Sequence, residues 1–314
     1  MPTLAPKLPW QHPFAGGYPG RGGQPLPTDA DAIDYLNRLA AVDGAAVEVG
    51  IAQAIDAFVR GCKADSAGYA GDPTRSNWDA IQASCIMCGA RTLSGALVPL
   101  KGTAPTPYNF ASGDYSRSGA TPGLKGDGTT KYLDTNYAYA QNQDDEHLAI
   151  YRTVAGTGNW IGGGRWAGGA GPYSRISFLS PTAYRSSQGT DNTGGFTDTL
   201  GFFATGRSNG TQSQLRAAGT TTTAAALSNP VAGVTASYGV YAAIFDDIGV
   251  FFRSPQRAAF YSVGSAIDLA AMDERVTNLV TAIKFHSLTG LLPNDYDPAT
   301  IAYITAAYAA GGTL

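Results

Sequence analysis

The sequence predicts a mostly β fold, an antiparallel β-sandwich with helical flanks. Between residues 105 and 261, short apolar or alternating runs are separated by Gly, Pro, Asn and Ser. That is the rhythm of antiparallel strands joined by tight turns. On both sides of this region, apolar residues recur instead at helical spacing. A third observation brackets the two: the glycine-rich segment Gly123–Asp134 opens the strand-like region, and Ala259–Ala270 closes it and runs directly into a helix.

The order of elements begins with an arm, residues 1–28. It carries seven prolines interleaved with Gly16, Gly17, Gly20, Gly22 and Gly23. Proline lacks an N–H donor and glycine is entropically costly to order, so this segment cannot build a core alone. Trp10, Phe14 and Tyr18 make it a candidate docking arm that lies against a neighbour. A helical region follows, residues 29–104. Thr28 is placed to cap a helix over Asp29–Val42, with Ile33, Leu36 and Leu39 on one face. A second helix, Ala45–Arg60, presents Val47, Ile51, Ile55 and Phe58, with Gly61 as its C-terminal cap. A third starts at the capping box Ser76–Asp79 and carries Ile81, Cys85 and Cys88 on one stripe.

The sandwich is expected over residues 105–288. Within it Asn209–Gly210 marks a hairpin, because both residues tolerate positive φ. Thr220–Thr223 reads as an exposed, uncharged strand, and Asp127 and Asp134 read as turn formers. Asp268 caps a closing helix, Leu269–Phe285, whose stripe is Met272, Val276, Leu279, Val280 and Ile283. Residues 289–314 hold a turn and a last helix, with Asp297 as cap, Pro298 at the first position and Ala299–Tyr308 as its body. Three short helices thus precede the sheet region and two helices follow it.

Composition narrows the function. Charged residues make up 14% of the chain, against about 25% in ordinary globular proteins. Gly numbers 40, so much of the polarity comes from hydroxyls and exposed backbone. A net charge of −3 gives no basic footprint for nucleic acid. No apolar run reaches the length of a membrane span, and the first residues lack a secretory signal pattern. The expected compartment of synthesis is a reducing cytoplasm, in keeping with only three cysteines.

The chemical motifs are mostly negative. Cys85-Ile-Met-Cys88 is a lone pair without the second knuckle of a zinc site, so Cys62, Cys85 and Cys88 read as buried structural thiols. Asp144–Glu146 and Asp246–Asp247 supply oxygen ligands of the kind calcium takes. The plainer reading, a solvated turn before a strand, is preferred for Asp144–Glu146. The alternating carboxylates of a sandwich glucanase, a Gly-x-Ser-x-Gly elbow, a His-Glu-x-x-His pair and a Walker loop are all missing. No catalytic, cofactor or metal-binding residue is therefore assigned. Trp160, Trp166, Tyr173 and Tyr184 are candidate glycan contacts, since an aromatic face stacks on a pyranose ring. Trp160 in the core and Trp166 at an interface is the other reading.

Several blocks carry a resemblance. Asp31–Leu36, Ala57–Lys63 and Ala90–Pro99, then Asn109–Tyr115 and Gly123–Asp134, resemble structural proteins of tailed bacteriophages. Phe260–Gly264 and the helix Leu269–Ile283 resemble the end of the concanavalin A-like (laminin-G-like) jelly rolls in those proteins. The resemblance implies a jelly-roll sandwich and a non-enzymatic virion component: a capsid decoration, head or tail fibre, or tail-associated protein. It also implies a homo-oligomer, made in the host cytoplasm, that docks on other capsid or tail proteins and touches host surface glycans. No active residue carries over.

Overall fold

A computed structural model describes residues 26–69, 71–138, 144–165, 173–180, 183–188, 191–195, 200–225 and 234–289. The arm with Trp10, Phe14 and Tyr18, the loop holding Trp166, and the expected last helix Ala299–Tyr308 lie outside them.

The chain enters through α1 (Ala30–Asp43) and α2 (Val49–Ala64). Asp29 caps α1, where Thr28 was expected to: its carboxylate accepts from the Asp31 and Ala32 amides. The amides of Thr28 and Asp29 donate instead to Asp56 Oδ1, both at 2.8 Å. Helix α2 runs past Gly61, the expected C-terminal cap. Inside the helix Gly61 lies under the Arg275 side chain, whose Nε a Cβ there would approach to 2.6 Å, so that side chain would have to shift.

The third expected helix is corrected most. The capping box at Ser76 forms, but the helix, α3 (Asn77–Ala80), is a single turn, and the chain continues as strand β1 (Ile81–Ile86). Strand β1 pairs antiparallel with the last strand, with a register irregularity between Ile81 and Ala83. That irregularity breaks strict alternation, so the sequence shows no period of two. Cys85 accordingly sits in a strand, and all three cysteines are buried free thiols. Burial pushes each of them up to about 12.

A short helix α4 (Leu93–Ala96) precedes the strands β2 (Thr106–Tyr108), β3 (Tyr115–Ser116), β4 (Gly123–Lys125), β5 (Tyr132–Ala138) and β6 (Glu146–Val154). Next come β7 (Gly158–Gly164), β8 (Tyr173–Ser180), β9 (Ala183–Gln188) and β10 (Asp191–Gly195). The last strands are β11 (Gly201–Arg207), β12 (Gln212–Ala217), β13 (Thr220–Ala225), β14 (Ser237–Val240), β15 (Ala243–Phe245), β16 (Gly249–Phe251) and β17 (Arg257–Gly264), before helix α5 (Leu269–Thr289).

These form two sheets. The first runs β13-β12-β11-β6-β17-β4-β3, with β1 also on β17. The second runs β10-β9-β8-β7-β14-β5-β2, with β15 and β16 attached at β7. The opening segment pairs with the residues just before the closing one, Leu124 with Ala258 and Lys125 with Arg257. Strand β13, expected to be exposed, is an edge strand whose threonines face solvent.

Three layers result: helices, first sheet, second sheet. The inward faces of β6, β11 and β17 put Leu148, Ile150, Phe203, Tyr261 and Val263 into the core between the sheets. Their outward faces put Ala149, Tyr151, Phe202, Ala204 and Phe260 against Ile51, Ile55 and Phe58 of α2 and the full α5 stripe. Both faces of β6 are covered, so Glu146–Thr153 are buried, the apolar run Leu148–Tyr151 together with the polar residues that flank it. The hairpin β11–β12 forms as expected, by a different device. Neither Asn209 nor Gly210 adopts positive φ. Asn209 Oδ1 instead accepts from the Thr211 and Gln212 amides, both at 2.9 Å. No helix among the described residues is long and apolar enough to cross a membrane.

Candidate functional site

Two places gather polar or aromatic side chains in ways that bear on function. The first lies where β6 begins. Asp144–Glu146, read from sequence as a solvated turn, is instead largely drawn into the fold. Arg75, from the loop before α3, reaches both oxygens of Asp145 at 2.6 and 2.7 Å. Asp145 Oδ1 also accepts from the Ala266 amide at 2.7 Å. Asp144 pairs with buried Arg207 at 2.8 Å. Glu146 turns between the sheets and accepts from Ser174 Oγ at 2.5 Å and Tyr238 Oη at 2.9 Å. The other acidic pair is also engaged: Asp246 accepts from the amide and hydroxyl of Thr235. Among the described residues, no three His, Cys, Asp or Glu side chains gather in a cluster fit for a metal ion.

His147 follows Glu146 and turns the other way. Its Nε2 lies 2.8 Å from Ser262 Oγ, and its Nδ1 lies 2.5 Å from the Ser265 carbonyl. The carbonyl fixes the proton on Nδ1, so Nε2 accepts from the serine hydroxyl. This is the geometry of a serine–histidine pair, yet His147 and Ser262 are both 0% exposed. No substrate can reach them, and the pair ties β6 to β17.

The two buried titratable groups oppose each other. Burial pushes Glu146 from 4.5 to about 7, only partly offset by its bonds to Ser174 and Tyr238. Burial pushes His147 from 6.5 to about 4, against the pull of the Ser265 carbonyl. Between pH 4.5 and 7 the folded state holds a proton on Glu146 that the unfolded chain has lost. Stability therefore falls as pH rises through that window. Between pH 4 and 6.5 the unfolded chain holds a proton on the imidazole that the folded state excludes, so stability rises with pH. Each slope is at most about 1.4 kcal/mol per pH unit, and the two cancel where the windows overlap. Glu146→Gln is expected to unmask a rise in stability between pH 4.5 and 6.5 in urea titrations. Parallel profiles for variant and wild type would contradict the assignment.

The second place is a group of aromatic rings on the second sheet, with Tyr108, Phe251 and Phe252 exposed and Tyr132 half-buried. Tyr108 and Tyr132 are register partners on β2 and β5. Their rings stack at 4.3 Å with planes 7° apart, and Tyr108 is 39% exposed. Two asparagines with left-handed backbone, Asn109 and Asn136, hold this corner. Asn109 Nδ2 donates to the Thr130 carbonyl and Asn136 Nδ2 to the Ala104 carbonyl. The turn before Tyr132 is built on Asp127, whose Oδ1 accepts from three successive amides, Thr129 to Lys131. Burial opposes its ionisation, but the Thr130 hydroxyl and those amides outweigh it and hold the carboxyl well below the usual range.

The guanidinium of Arg253 lies 5.7 Å from the Tyr132 ring, and its Nε makes no hydrogen bond within the fold. Next to it Phe251 and Phe252 are 41% and 43% exposed. Phe252 adopts φ +57, a conformation costly for a bulky residue and most common where function requires it. Arg175 lies 5.5 Å from its ring. Arg175 is buried behind that ring and Arg253 is half-buried, so what the surface offers is the exposed rings, which suit a flat, partly apolar ligand. They offer no proton relay or nucleophile.

The expected glycan contacts are placed elsewhere. Trp160 is fully buried between the sheets, its ring covered by the Arg152 guanidinium at 3.8 Å and Phe203 at 5.5 Å. It is a core residue. Tyr173 is 5% exposed and packs edge-on against Phe245. Tyr184 pairs through its backbone with Phe178 on β8 and Gly194 on β10. The aromatic group was missed because Tyr108 and Tyr132 lie 24 positions apart in sequence. One local signal was present: Phe251-Phe252-Arg253, where adjacent rings cannot both enter a half-buried face.

The sequence matches no protein-family model and no curated protein sequence. Among solved structures, the binding domain of botulinum neurotoxin serotype D superimposes with a TM-score of 0.40 at 9% identity. The match covers 64% of this chain and 51% of that one. A Trypanosoma rangeli sialidase, in complex with a difluorinated nononic acid, gives a TM-score of 0.36 at 10% identity. It covers 79% of this chain and 39% of the sialidase. The chain thus spans about half or less of the length of these structures.

Proposed function

We propose that the chain is a non-enzymatic structural protein of a tailed-phage particle, carried on the particle surface as a homo-oligomer and docked through its terminal segments. The observation that supports a non-enzymatic reading is the use made of the polar groups best suited to chemistry. His147, Ser262, Glu146 and Asp145 all sit inside the fold, with their polar atoms bonded to the fold itself. The placement in a particle rests on the sequence resemblance at Asp31–Leu36, Ala57–Lys63 and Ala90–Pro99. A rigid three-layer block with few charges suits repeated symmetric contacts. Immunogold labelling of intact particles tests the surface position: label on the particle is expected, and unlabelled particles would contradict it.

A second reading, a carbohydrate-binding module for host recognition, is favoured by the exposed rings of Tyr108, Phe251 and Phe252, with half-buried Tyr132 and Arg253 beneath them. Wild-type protein is then expected to bind host surface polysaccharide. Tyr108→Ala and Phe252→Ala are each expected to weaken binding by about tenfold or more. Absence of binding, or equal binding by the variants, would remove this reading.

A further inference from the structure

We propose that an open groove beside α1 is the seat of this chain's own N-terminal arm, with Pro9–Phe14 lying in it. The groove has a volume of about 960 Å³. One wall is the outer face of α1, with Asp34, Arg38 and Val42, and the facing wall includes Pro99, Pro105 and Pro107. Trp78 also lines it. Val42 is 48% exposed, an apolar residue left open to solvent on the α1 wall. Such a groove, with prolines along one wall, suits an extended polyproline-type segment that brings its own aromatic rings.

The arm fits in composition and length. Pro9-Trp10-Gln11-His12-Pro13-Phe14 places two rings between and beside prolines. From Asp31 to Val42 helix α1 advances about 17 Å. Six residues in polyproline form span about 19 Å.

The tether selects the chain's own arm over that of another copy. The described chain starts at Leu26, five positions before Asp31, which lines the same groove. Residues 15–25 include five glycines. A glycine-rich tether of that length has a root-mean-square span of about 18 Å, close to the length of the groove. Effective concentration is greatest when tether and span match in this way. The inference concerns the isolated chain and stands or falls independently of the particle reading.

Cross-linking in the full-length protein tests it. The three native cysteines are buried, so a His12→Cys, Val42→Cys variant adds two reactive thiols. Mild oxidation is expected to give a disulfide within single chains, seen as a monomer on non-reducing gels and as a linked peptide pair by mass spectrometry. Adding Trp10→Ser and Phe14→Ser is expected to slow the reaction by about tenfold or more. Failure to link, dimers alone, or an unchanged rate with both rings removed would each overturn the proposal. The last result would mean that a tethered arm meets the groove at random.

Discussion

Replacing Arg75 with alanine is expected to destabilise the folded chain by about 3–5 kcal/mol, the loss typical of breaking a buried ion pair from one side. Its guanidinium holds both oxygens of Asp145, donates to the Ala266 carbonyl at 3.1 Å and stacks over Tyr69 at 4.3 Å. These contacts join three distant pieces of chain: the loop before α3, the start of β6 and the link from β17 to α5. Without Arg75, Asp145 keeps one backbone amide and a negative charge in a site that is 8% exposed. Urea denaturation at neutral pH measures the loss. A change under about 1 kcal/mol, the value of a surface pair, would show that the linkage is not formed.

Phe260→Ala is expected to cost about 3–5 kcal/mol as well, through a cavity. Phe260 is 0% exposed, lies opposite Ile86 and Tyr151 in the first sheet, and meets Phe58 of α2 edge-on at 5.7 Å. It belongs to the cluster shared by the helices and the outward face of that sheet. Helical and sheet signals should therefore be lost together, in one transition moved to lower denaturant. Two separate transitions would mean that helices and sandwich hold together independently.

The sequence made the fold class legible and the layer order illegible. The α5 stripe of Met272, Val276, Leu279, Val280 and Ile283 is wholly buried, and Asp268 caps the helix as its position implied. Strand β1 was hidden because Ile81–Ile86 is covered on both faces and irregular in register, leaving Ile81, Cys85 and Cys88 at a spacing that imitates a helix. Its pairing with β17, which sets Ala83 opposite Val263, 180 positions away, is a tertiary choice that local propensity cannot show. The same limit applied to the sites. Trp160 and Tyr173 were marked by residue type, and burial placed both inside. Tyr108 and Tyr132 became a pair only through the register of β2 on β5. Asp144–Glu146 looked like a solvated turn because its partners, Arg75 and Arg207, are 70 and 63 positions away.

The central claim, a structural component of a phage particle, is tested most directly by quantitative mass spectrometry of particles purified through a density gradient. The chain is expected at a fixed copy number per particle, retained after high-salt washing and in constant ratio to the major capsid protein across fractions. Its absence from washed particles, or a ratio that varies between fractions, would contradict the account.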